Sequence, residues 1–146
     1  MSLTPEVTPS MFAKLKAAVQ PYALLPLRFG LGLALLVHGW AHVQGPGALT
    51  RAFERADLPA AQPLTWVAVG IELLGGLLVL VGFQTRFAAF FVACWGFVQA
   101  FLLQASRGWF ADEGGLEVPL LLALAALAIW LGGAGRASVD SIRGKL

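Results

Sequence analysis

The sequence is poor in charge, in cysteine and in histidine, and each scarcity removes a class of function. Charged residues make up 12% of the 146 residues, about half the share of an ordinary soluble domain. The net charge is +2 and the basic residues are scattered, so a pI near 9.1 is no nucleic-acid footprint. A single cysteine, Cys94, lies within an apolar run. It has no intramolecular disulfide partner, and dithiol exchange and thiolate-ligated iron–sulfur clusters are excluded; it reads as a buried, inert thiol. The two histidines, His38 and His42, lie four residues apart on one predicted helix. They cannot ligate a haem iron from opposite faces, so no metal site is expected. No glycine-rich phosphate loop follows a strand.

What the chain has in abundance is apolar surface, 58% of residues. A chain this short buries only a modest fraction of its area in a globule, so the apolar excess calls for lipid as solvent. Four runs, residues 23–43, 64–83, 87–105 and 116–134, have about the 20 residues needed to cross roughly 30 Å of hydrocarbon. Backbone groups in lipid must be satisfied within the segment, which makes these runs helices. The fold expected is an all-α membrane protein, a bundle of four antiparallel transmembrane helices preceded by a short amphipathic interfacial helix. Three regions follow: a tail and interfacial helix over 1–22, the transmembrane domain over 23–135 and a C-terminal tail over 136–146. Residues 1–9 hold two prolines and read as a loose tail rather than a cleavable signal. Ser10 is a candidate N-cap for the interfacial helix, in which Met11, Leu15 and Ala18 repeat at helical spacing beside Lys14 and Lys16. The segment 84–86 forces a tight hairpin, while the longer connection 44–63 carries an amphipathic piece over 49–57. Lys14, Lys16, Arg86, Arg136, Arg143 and Lys145 fall on one side, and Arg51, Arg55 and Arg107 on the other. The first side, with both termini, is therefore expected in the cytoplasm, as in a bacterial inner membrane.

Ionisable groups at membrane depth are costly, so each is a functional candidate. Arg28, His38 and His42 fall within an arc of about 80° on the first helix. Glu72 in the second helix shares its side with Ala68, Gly75, Gly76 and Val79, small residues that suit close helix contact. The third helix offers Gln99, one turn after Trp95, and the fourth offers Glu117 beside Pro119. At 1.5 Å per residue, His38 and Glu72 lie roughly 22 Å and 17 Å from the cytoplasmic ends of their helices, with Gln99 at a similar height. The expected site joins His38 and Glu72 as proton-handling groups with Trp95 and Gln99 as ligand contacts. Arg28 is read as an interfacial anchor, an ion-pair partner or a further ligand contact. Glu117 is read as either a helix-dipole partner or a ligand contact, and His42 as a solvated end residue.

The blocks LRFGLGLALLVHGWAH (27–42), GIELLGGLLVLVGFQTRFAA (70–89), GGLEVPLLLALAAL (114–127) and GAGRASVD (133–140) occur in the order seen in the DoxX family, which the chain resembles. Family members usually carry a lysine where this chain has His42. The resemblance implies a four-helix membrane bundle and an accessory role in quinone-linked membrane oxidoreductases. Two functions are then expected as alternatives. One is a subunit that supports a partner oxidoreductase and contributes a quinone or proton-relay site. The other is a non-catalytic scaffold whose polar residues fix helix register. Either way the chain is expected to contact lipid and to associate with partner subunits or with itself. It carries no covalently bound cofactor motif, and quinone is the ligand considered.

Overall fold

A computed structural model describes residues 10–144; the expected loose tail over 1–9 and the charge of Lys145 lie outside them. Among the described residues the chain is all helical, with no strand. Helix α1 (Met11–Val19) starts at Ser10, whose Oγ accepts from the Ala13 N–H at 3.3 Å, and a one-turn 3-10 segment containing Pro21 joins it to α2 (Leu25–Gln44). The pair Gly45–Pro46 stops α2, since proline cannot donate to the preceding turn. Helix α3 (Gly47–Arg55) realises the amphipathic piece expected in this connection.

The second long rod is continuous but not uniform. Helix α4 (Ala61–Gly70) passes through a π-helical turn, Ile71–Gly75, into α5 (Gly76–Val81). Gly82 ends it in the left-handed conformation at φ 73°, which glycine adopts without steric cost. After the tight turn, α6 (Thr85–Phe97) runs into a second π-helical segment, Val98–Gln104. A loop with two further 3-10 turns leads to α7 (Glu117–Gly132), and α8 (Val139–Ile142) is a single capped turn.

Helix α2 packs along α5, α6 packs along α7, and the two pairs join through the first π turn and the α5–α6 hairpin. Their contacts are made by small groups. A Cβ on Gly32 would sit 2.8 Å from the Leu80 Cβ and 2.9 Å from the Gly76 carbonyl oxygen, so α2 and α5 approach to a distance only glycine allows. The buried centre is correspondingly fine-grained, with Ala88, Ala89, Ala93 and Ala126 among Leu31, Leu35, Val79, Val92 and Ile129. Large apolar side chains face outward instead, Leu131 being 65% exposed, with Phe29, Val37, Leu74, Phe87 and Leu121 also exposed. Small residues inside and bulky ones outside is the arrangement of a bundle solvated by lipid.

Three helical stretches are long and apolar enough to cross a membrane: Met11–Gln44, Ala61–Val81 and Thr85–Arg107. The fourth run, expected over 116–134, forms a helix of only 16 residues because Gly133 breaks it. No residue of α1 is buried, so nothing among the described residues covers Met11, Phe12 or Leu15. Cys94, read as buried, is exposed on the outer face of α6. An all-apolar run gives no phase from which to tell its two sides apart.

Candidate functional site

Glu72 sits in the π turn of the second rod and is 2% exposed. A π turn inserts one extra residue and rotates the side chains around it, which is why such turns gather at functional positions. Here it aims the carboxylate between α2 and α6. Oε1 accepts from the Trp95 indole Nε1 at 3.0 Å and from the Gln99 Nε2 at 3.2 Å, while Oε2 lies 2.7 Å from the His42 Nδ1. Gln99 belongs to the second π segment, so both bulges converge on one carboxylate. Gly39 of α2 makes room for it, since a Cβ there would meet the Leu73 side chain at 2.8 Å and the Glu72 Cβ at 3.1 Å. Behind the carboxylate, the Trp95 ring rests on Phe53 of α3 with centroids 5.9 Å apart. Helix α3 is in turn tied down by Thr50 Oγ1 and Thr65 Oγ1, 2.9 Å apart.

Glu72, His42, Gln99 and His38 all line one cleft of about 470 Å³ at the end of the bundle covered by α3 and the loop 105–116. One wall is apolar, with Leu35, Leu49, Leu103, Val118 and Leu122, and Arg51, Arg55 and Arg107 complete the lining. Oε1 is filled by two N–H donors, which leaves Oε2 for the single bond to the His42 imidazole. The second ring nitrogen of His42 makes no hydrogen bond among the described residues. A proton can therefore be exchanged between the cleft and a buried carboxylate through a single imidazole.

The expected cluster is thus assembled with one substitution. Glu72, Trp95 and Gln99 meet, but the histidine bonded to the carboxylate is His42, which sequence reasoning assigned to the solvated helix end. His38 lines the cleft without a hydrogen bond to Glu72. Glu117 stays outside this cluster: its Oε2 accepts from the Ala111 N–H at 3.2 Å and closes the loop before α7.

Arg28 is also placed elsewhere, at the opposite end of the bundle, 1% exposed. Its guanidinium donates to four backbone carbonyls, those of Val79 (3.1 Å), Leu80 (3.2 Å), Ala137 (3.0 Å) and Ala134. Two of these lie in the last turn of α5, whose final carbonyls lack helical partners. Beside it Asp140, unassigned in the sequence, accepts from the N–H groups of Gln84 (2.9 Å) and Thr85 (2.8 Å) and from the Thr85 hydroxyl (2.8 Å). The Asp140 N–H itself donates to the Gly82 carbonyl at 2.8 Å. Burial pushes the Asp140 carboxyl up, but the Thr85 N–H and hydroxyl, the Gln84 N–H and the Arg143 charge outweigh it, leaving its pKa below the ordinary 3.8. Together Arg28 and Asp140 clamp the α5–α6 turn to the segment after α7. The clamp brings Pro21, whose carbonyl accepts from the Arg136 N–H, to the same end as the turn and the C-terminal segment.

Comparison with known proteins places this geometry in context. A family model described as DoxX matches residues 23–105. Two proteins of Haemophilus influenzae, both described only as uncharacterized, are similar over most of their length. One is 30% identical over 126 residues, covering 84% of this chain and 91% of the relative. The other is 27% identical over 124 residues, covering 82% of each. No solved structure matches the chain.

Proposed function

The chain belongs to the DoxX family, and from that membership and its buried carboxylate we propose that it is a four-span membrane subunit binding a quinone-type headgroup for a partner oxidoreductase. Its spans are the three long helices and α7, whose 16 residues rise about 24 Å. That is a little short of the hydrocarbon core, a mismatch a bilayer accommodates by local thinning. Lys14, Lys16, Arg86, Arg136 and Arg143 gather at the clamp end, which the positive-inside rule assigns to the cytoplasm of an inner membrane. There α1 would lie on the bilayer with its lysines toward headgroups.

The observation that carries the reading is the Glu72 carboxylate, buried at membrane depth yet connected by His42 to a cleft large enough for a small ring. A quinone, when bound, supplies two-electron chemistry that must be matched by protons. His38 and His42 line the cleft as donors or acceptors for ring oxygens, Glu72 and His42 share the proton that is moved, and Gln99 and Trp95 hold the carboxylate in place. Electrons come from the partner, since the chain has no metal or flavin motif.

The test is quinone-dependent turnover in membranes containing wild type, E72Q or E72L at matched subunit content. Gln keeps the acceptor for Trp95 and Gln99 but cannot release a proton, so turnover should fall by about 10²-fold or more while assembly persists. Equal rates for wild type and E72Q would sink the proposal. The competing scaffold reading draws on one fact: every buried side-chain polar atom among the described residues has a hydrogen-bond partner, as a register-fixing network requires. On that reading E72Q is mild and only E72L, which strands the indole N–H, weakens assembly.

A further inference from the structure

The cleft has a cationic rim that proton transfer does not use, and from it we infer that the cleft binds an amphiphile with an anionic head, of the acidic phospholipid class. This names a ligand class for the cleft of the proposed site without depending on quinone binding there. Arg51 and Arg55 come from α3, and Arg107 from the far side of the cleft. None of the three makes a side-chain hydrogen bond, and no carboxylate lies within 4 Å of any of them among the described residues. With Glu72 the lining carries a formal charge of +2, both histidines counted neutral. Glu72 makes no ion pair with these arginines among the described residues; its oxygens are bonded by Trp95, Gln99 and His42.

All three cations are arginines, whose planar fork grips phosphate or carboxylate oxygens in pairs. Two features favour an amphiphile over a free anion. The wall below the rim is apolar, with Leu35, Val118 and Leu122, surface that a soluble anion would leave unused. The rim also lies beside exposed Trp109 and Phe110, aromatic residues suited to the membrane–water boundary where lipid headgroups reside.

The experiment uses the full chain in neutral detergent, titrated with dioctanoyl phosphatidylglycerol, dioctanoyl phosphatidylcholine or inorganic phosphate, with bound ligand counted by native mass spectrometry. Phosphatidylglycerol should bind saturably, at least about tenfold tighter than the other two. R107Q and R51Q should each weaken it by about tenfold, the effect of losing one hydrogen bond to a charged group. R136Q, an exposed arginine at the opposite end, should leave it unchanged. Equal affinity for the two lipids would overturn the proposal, as would an equal effect of R136Q. Inorganic phosphate binding as tightly as phosphatidylglycerol would overturn it in favour of a soluble anion. The titration contains neither quinone nor partner, so its failure leaves the Glu72 reading standing, and equal turnover of E72Q would leave the anionic site standing.

Discussion

Replacing Arg28 by Met keeps the apolar stem of the side chain and deletes the guanidinium with all four of its hydrogen bonds to carbonyls. Of the residues that own those carbonyls, Val79 and Ala134 are buried, Leu80 is partly exposed and Ala137 is exposed. The last two can turn to water or headgroups at little cost. The first two are left without a partner, at about 1–3 kcal/mol each. Relief from burying the guanidinium charge returns part of this, so the expected loss is about 2–4 kcal/mol, a large share of an ordinary stability of roughly 5–15 kcal/mol. R28K should fall between the two, because one ammonium cannot span carbonyls on both α5 and the segment after α7. The assay is unfolding of the purified protein in detergent, with amide hydrogen exchange read at Gln84, Thr85 and Asp140. These amides should lose protection in R28M, since the same clamp holds them. R28M within about 0.5 kcal/mol of wild type, with exchange unchanged, would refute the reasoning and return Arg28 to the ligand-contact role considered from sequence.

Three further outcomes are expected. Asp140 has its pKa lowered in the folded state, so its contribution is complete above the ordinary 3.8 and is lost as pH falls through the lower folded value; D140N should remove that acid-side loss in melts taken down to about pH 2. H42F should reduce quinone-linked turnover about as much as E72Q and H38F should reduce it less, because only His42 bonds the carboxylate; the reverse order in matched membranes would refute the relay. G32L should cost about 1–3 kcal/mol by overpacking the α2–α5 contact, whereas G30A, whose added Cβ meets nothing within 4 Å, should be neutral or slightly stabilising in the same melts.

Much of the fold was legible because apolar runs of about 20 residues and a three-residue hairpin admit few alternatives. The site was legible as far as its residue types reach. Glu72 and Gln99 come together as their depths predict, and Trp95, one turn before Gln99, joins them. His38 and His42 lie one turn apart on the same face, so helical periodicity cannot choose between them. The choice is made by the π turn at Ile71–Gly75 and by the clearance at Gly39, neither of which has a reliable sequence signature. The partners of Arg28 escaped notice for a different reason: they are backbone carbonyls, which every residue possesses.

Arg28 and Glu72 answer the cost of a buried charge in opposite ways, and the difference bears on where function resides. Arg28 is enclosed by carbonyls that cannot titrate, and its guanidinium keeps its proton at any working pH. Such a group holds a turn in place, which fits its position at the end where α5, α6 and the C-terminal segment are pinned. Glu72 is enclosed by side chains, one of which is an imidazole with a second nitrogen not bonded among the described residues and a cleft beside it. The bonds from Trp95 and Gln99 keep the carboxylate oriented whether the shared proton sits on Oε2 or on Nδ1, so a proton can pass without disturbing the helices. A network meant only to fix register gains nothing from a titratable member facing a cavity. A relay requires one, and this is the physical ground for proposing the chemistry at the cleft end and the rigidity at the clamp.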